Sequence, residues 1–163
     1  MIDLDSQNAM TSFFFENIAD FEKKTILEAV QGDIMLKEAI YKISDNLDVI
    51  PTKLEFENIN FVQLSGKELF LRIELENLDY DYVIIDGAGA LSVITAAAVM
   101  VSDLVIIPVT PSPLDFSASG AVISVLEAQS YNRPVECRFL ITRKIEQATM
   151  LTVLRESIAA TGI

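Results

Sequence analysis

The chain has 163 residues, 51% of them apolar, and carries a formal net charge of −12 from 24 acidic and 12 basic side chains, with no histidine and one cysteine. That length suits one ordinary domain and that apolar fraction excludes disorder. So negative a field opposes direct binding to phosphate backbones, and a lone Cys137 without histidine rules out an internal disulfide and argues against zinc.

At the start, Ile2 and Leu4 read as the end of a buried strand, with Asp3 and Asp5 where it runs into a loop. Residues 47–50 (LDVI), closed by Pro51, read as another strand. In residues 68–78 (ELFLRIELENL), Leu69, Leu71, Ile73 and Leu75 alternate as in a strand, but the glutamates and arginine favour a helix, which is the reading adopted. Residues 82–85 (YVII), 104–109 (LVIIPV) and 138–142 (RFLIT) are short, rich in Val and Ile, and apolar on both faces, as in a parallel sheet covered by helices. Residues 92–101 (SVITAAAVMV) predict a buried helix with Ser92 as its N-cap. Residues 115–130 carry Ala118, Ala121, Val122, Val125 and Leu126 at helical spacing; residues 146–161 carry Met150, Leu151, Leu154 and Ile158 before a stop at Gly162. Cys137 reads as a small buried strand residue. No apolar run is long enough for a membrane span and no basic-then-apolar leader opens the sequence, so a cytoplasmic protein with no membrane partner is expected.

This alternation predicts an α/β fold: a doubly wound, mainly parallel sheet with helices on both faces, in a single domain spanning 1–163. Sites in such folds lie at the carboxyl ends of strands. Three ends carry polar chemistry: Asp3 and Asp5, then Asp86, then Thr110. The stretch VIIDGAG at 83–89 has the form of a Walker B element, in which a carboxylate at the sheet edge holds magnesium, usually through water. Gly87 and Gly89 would let the backbone approach a phosphate or pivot when it leaves. By itself the same pattern also reads as an aspartate that starts a loop or caps a helix.

Taken together, DLDSQ at 3–7 and YDYVIIDGAGALSVITAAAVMVSDLVIIPVTPSP at 80–113 resemble the ParA/MinD group of deviant Walker P-loop ATPases, over nearly the whole chain. Residues 80–163 look most like the small plasmid-partition ATPase ParF, and residues 1–79 like a larger ParA branch, so a joint near 78–82 is an expectation. The resemblance implies ATP and Mg2+ as cofactors of the intact family member. Asp5 would be the catalytic aspartate that orients the attacking water, and Asp86 the carboxylate beside magnesium. Asp3 would serve in the magnesium shell or structurally, and Gln7 in an adjoining switch segment. Gly87, Thr142 and Arg143 would complete the nucleotide site, the last two near the adenine. It further implies a centromere-binding adaptor of a partition system as partner, self-association, and non-specific DNA binding only in the intact family member.

One departure stands out. The family's phosphate cradle, KGGxGKT, has no counterpart here: none of Gly32, Gly66, Gly87, Gly89, Gly120 and Gly162 forms a G-K-[ST] element, and SGKEL at 65–69 lacks both the preceding glycine and the hydroxyl after its lysine. The expectation is therefore a fold lacking the first strand and P-loop, truncated at both ends, and unable to bind or hydrolyse ATP alone. Two other readings use the same residues. One is a non-catalytic interaction domain of ParA-like fold. The other is a phospho-accepting receiver domain built on Asp3, Asp5, Asp86, Thr110 and Lys144, against which the 81-residue gap from Asp5 to Asp86 speaks.

Overall fold

The computed structural model describes residues 1–16, 24–53, 68–88, 93–130, 134–143 and 149–161. The chain divides into two compact units, one built from Met1–Ala88 with Ser92–Val101, the other from Gly89–Leu91 with Ser102–Ile163.

In the first unit, β1 (Ile2–Asp3) lies parallel to β4 (Ile85–Asp86), with Ile2 opposite Ile85 and Asp3 opposite Asp86. Its other edge meets residue 50: Ile2 bridges Ile50 in parallel, the Asp3 N–H donates to the Ile50 carbonyl at 3.1 Å, and the Ile50 N–H donates to the Met1 carbonyl at 2.9 Å. Backbone groups of β1 are thus taken on both sides, which is what allows so short a strand to be buried. A bulged antiparallel hairpin, β2 (Tyr41–Ser44) and β3 (Leu47–Val49), leads into this junction. The 47–50 segment is therefore a strand as expected, but its ladder is antiparallel; the parallel register is confined to Ile50.

Around β1, the core gathers Leu4, Ile26, Leu27, Leu36, Ile50 and Leu71. Helix α2 (Ile26–Gln31) is held at its start by a capping box. The Leu27 N–H donates to Thr25 Oγ1, while Glu28 Oε2 accepts from the Thr25 N–H and hydroxyl. The helix ends on Gly32, whose φ of 87° needs a residue without Cβ strain. The ambiguous 68–78 segment is helical, as α3 (Glu68–Glu76). Its Leu71, with Leu75 just beyond, faces the core, and α4 (Val93–Val101) contributes Ile94, Ala98 and Val101.

Residues 82–84 differ from expectation. Their sequence predicts part of a buried strand, yet the strand covers only Ile85–Asp86, and Tyr82, Val83 and Ile84 are exposed. The cause is β1 itself: a two-residue partner offers no ladder to the residues upstream of Ile85, apart from the Ile2 N–H donated to the Ile84 carbonyl at 2.8 Å.

In the second unit, β5 (Leu104–Val109) and β6 (Glu136–Ile141) form a parallel pair in unbroken register from Leu104–Glu136 to Val109–Ile141. Alternation sorts their side chains: Ile107, Val109 and Cys137 are buried, while Leu104, Ile106 and Leu140 on the other face are exposed. Cys137 thus occupies the buried strand position expected of it. Residues 115–130 fall into two helices rather than one, α5 (Pro113–Ala118) and α6 (Gly120–Ser130). The Phe116 carbonyl takes the Ser119 N–H and closes the first; the Ser119 carbonyl takes the Ile123 N–H and opens the second. Helix α7 (Thr149–Ala160), preceding Thr161, buries Leu154. Among the described residues no helix is long and apolar enough to cross a membrane.

Candidate functional site

The parallel register of β1 and β4 sets Asp3 directly beside Asp86, and the Leu4 N–H donates to the Asp86 carbonyl at 2.7 Å. Both chains then turn out of the sheet at its carboxyl rim, so Asp3, Asp5 and Asp86 converge there.

Their environments differ sharply. Asp3 is fully buried. Its Oδ1 accepts the Asp5 N–H at 3.0 Å, and its Oδ2 accepts both the Thr11 N–H at 2.8 Å and the Thr11 hydroxyl at 2.6 Å. Charge-assisted bonds of this kind are what make a buried carboxylate tolerable. Asp5 is half-buried, and its Oδ1 accepts the Gln7 N–H at 3.0 Å. Two successive Asx turns therefore carry the chain from β1 to Asn8, and the Asn8 N–H closes the loop on the Asp5 carbonyl at 2.9 Å. Asn8 sits in the left-handed region at φ 48°, ψ 32°, a conformation asparagine tolerates, immediately before helix α1 (Ala9–Phe14). Asp86 is exposed at the rim. Partial withdrawal of its carboxyl from water, then the negative charges of Asp3 and Asp5, push its pKa upward.

This donor set suits a hard cation, being all carboxylate oxygen. Asp3 is fully buried and three hydrogen bonds fall on its two oxygens, whereas Asp5 accepts one side-chain bond and Asp86 is exposed, so the latter two have more lone-pair capacity open to water. Among the described residues no group of three or more His, Cys, Asp or Glu side chains stands ready to enclose a metal ion. The triphosphate is a different matter: the sequence has no G-K-[ST] cradle for it.

Of the other expected residues, Gln7 is exposed in the turn after Asp5. Gly87 follows Asp86, and a Cβ built there would meet nothing within 4 Å, so the space beside its backbone is open. Thr142 and Arg143 belong to the second unit. The Thr142 N–H donates to the Val109 carbonyl at 2.8 Å, tying the ends of β5 and β6, and exposed Arg143 has the left-handed φ of 50° that marks a locally constrained backbone. Gly89, Ser92 and Lys144 lie outside the described residues. Two residues were missed by sequence reading: Thr11, and Thr52, whose N–H donates to Thr11 Oγ1 at 3.0 Å. The only available signal was a hydroxyl residue in the first helix after the aspartates.

Comparison with known proteins agrees with this geometry. The family model described as AAA domain matches residues 1–133, and the chain belongs to that family, within its ParA/MinD-type P-loop ATPases. The sporulation initiation inhibitor protein Soj of Bacillus subtilis is 32% identical over 114 residues, covering 67% of this chain and 45% of Soj. A plasmid partition protein from Borrelia burgdorferi, solved with bound AMPPNP, superposes with a TM-score of 0.82 at 28% identity, over 97% of this chain and 68% of that one. Cobyrinic acid a,c-diamide synthase from Mycobacterium smegmatis, solved with an ATP analogue and magnesium, shares the fold at a TM-score of 0.84 and 20% identity, over 98% of this chain and 68% of that one. The α/β, P-loop NTPase-like fold expected from the sequence is therefore the one observed, and the receiver-domain reading falls away. The chain spans about half the length of the curated relatives it matches.

Proposed function

We propose that this chain is a ParA-type component of DNA segregation, carrying the carboxylate side of an ATPase centre. The observation that supports this most is the parallel β1–β4 register, which gathers Asp3, Asp5 and Asp86 on one rim. In this reading Asp86 holds the cation side, and Asp5 orients the attacking water. Asp3 is structural, because its oxygens are spent on Thr11 and the Asp5 backbone. Gln7 and Gly87 flank the phosphates. Magnesium, when bound, would neutralise charge on the phosphoryl oxygens. The partners of this reading are a centromere-binding adaptor and a second copy of the chain, in the cytoplasm.

A second reading has its own observation. Because the sequence lacks a phosphate cradle, the chain can serve as an interaction domain of ParA-like fold that binds the adaptor without turnover. Two measurements test and separate the readings. Overproducing the chain in its host should raise loss of a partition-dependent plasmid by competing for the adaptor; an unchanged loss rate would count against both. Mn2+ binding, followed by electron paramagnetic resonance, should weaken in Asp86→Asn under the first reading and be indifferent to it under the second.

A further inference from the structure

We propose that Thr11 is a positioning residue for Asp5, acting through a buried hydrogen-bond relay that runs from the Thr52 backbone through the Thr11 hydroxyl to the Asp3 carboxylate. The proposal rests on the reading of Asp5 given above.

Each link leaves the next little freedom. Thr11, Thr52 and Asp3 are all fully buried. A threonine hydroxyl has one proton. Thr11 donates it to Asp3 Oδ2 at 2.6 Å, so the Thr52 N–H, at 3.0 Å, finds a lone pair on the same oxygen. The Thr11 N–H reaches that Oδ2 as well, at 2.8 Å. Pinned by both donors, the Asp3 carboxylate presents Oδ1 to the Asp5 N–H at 3.0 Å. The Asp5 carbonyl is held in turn by the Asn8 N–H, and Asp5 Oδ1 by the Gln7 N–H. The backbone of Asp5 is thereby clamped on both sides.

The far end of the relay is anchored too. Thr52 follows Ile50, which is bonded to β1, and Pro51, whose carbonyl accepts the Ile26 N–H at 3.0 Å. The relay therefore ties the Asp5 loop to the edge of β1 opposite Asp86. The Thr52 hydroxyl takes no part; it is buried with no hydrogen-bond partner, and only the backbone of that residue is used.

This yields a three-variant experiment on the full chain, reading amide hydrogen exchange and Mn2+ affinity together. In Thr11→Val, which keeps the shape and removes the hydroxyl, protection at the Asp5 and Gln7 amides should fall about tenfold while that at Leu27 and Ala29 is retained. Mn2+ affinity should fall about tenfold with it, because Asp5 shares the rim with Asp86 and, besides orienting water, lends its open lone pairs to the cation's shell, as when a group that orients a metal ligand is lost. Thr11→Ser should restore both, and Thr52→Val should leave both unchanged. Uniform loss of protection across the unit in both Thr11 variants would overturn the proposal, since it describes a residue needed only for folding. So would a loosened Asp5 loop with Mn2+ affinity intact. If the wild type binds no Mn2+, the cation reading of the rim fails, and selective loosening in Thr11→Val still supports the clamp while unchanged Asp5 protection overturns it.

Discussion

The two units handle a parallel strand pair in opposite ways. In the first, β1 is only two residues long, yet both its edges are bonded and Ile2, Asp3 and Leu4 are buried. In the second, β5 and β6 run six residues in perfect register, yet Leu104, Ile106 and Leu140 are 47%, 55% and 53% exposed. Strand length therefore says little about how well a strand is held. What matters is whether both edges are paired and both faces covered, and the carboxylates sit where the pairing is most complete.

The strongest way to break this contrast is Asp3→Ala. It would strand the Asp5 N–H and both Thr11 donors in a buried place, and should cost about 3 kcal/mol or more. Denaturant unfolding followed by hydrogen exchange should show the first unit lost and the 104–109 strand still protected. Equal loss in both units would mean that they are not separately stable.

A smaller effect sharpens the electrostatics of the first unit. Burial tends to raise the Glu28 carboxyl, but bonds from Lys53 and Thr25 outweigh it and the net shift is downward. A lowered folded pKa contributes stability that is complete above the ordinary carboxylate range and lost as pH falls through the folded value. Glu28→Gln should therefore cost about 1–2 kcal/mol near neutrality, with the deficit shrinking in acid. A deficit independent of pH would assign the effect to packing.

The second unit is tested through its bare face. Exposed apolar surface drives association, and Leu104, Ile106 and Leu140 supply it on this face; the first unit has an exposed apolar stretch of its own at 82–84, with Tyr82 at 87% exposure. The wild-type chain should self-associate in light scattering, despite its net charge of −12. The double variant Ile106→Lys, Leu140→Lys should shift it toward monomer, whereas Tyr82→Ser alone should do less. A monodisperse wild type would show that the face is sealed.

The last expectation is a null rate. With no G-K-[ST] lysine in the sequence, the chain alone should show no magnesium-dependent ATP turnover above background. Turnover abolished by Asp5→Ala would mean that another element cradles the phosphates.

Much of this was legible in the residues themselves. Ile2 and Leu4 announced β1 and short apolar runs announced β5 and β6; a nearly all-apolar stretch announced α4 and helical spacing α7; and the carboxylates at strand ends marked the rim. These signals are local, because periodicity and strand-end chemistry are written in neighbouring residues. Other features depended on partners distant in the chain. The exposure of 82–84 followed from the shortness of a strand some eighty residues away, and the division of 115–130 from competing bonds at Ser119. The antiparallel turn of 47–49 followed from pairing with 41–44. Above all, the resemblance carried by DLDSQ separates Asp5 from Asp3 but leaves Asp3 open between the magnesium shell and a structural part. Tertiary structure adds the difference in surroundings, burying Asp3 against Thr11 and leaving Asp5 half-open at the rim, since the role of a carboxylate is set by the donors and water around it.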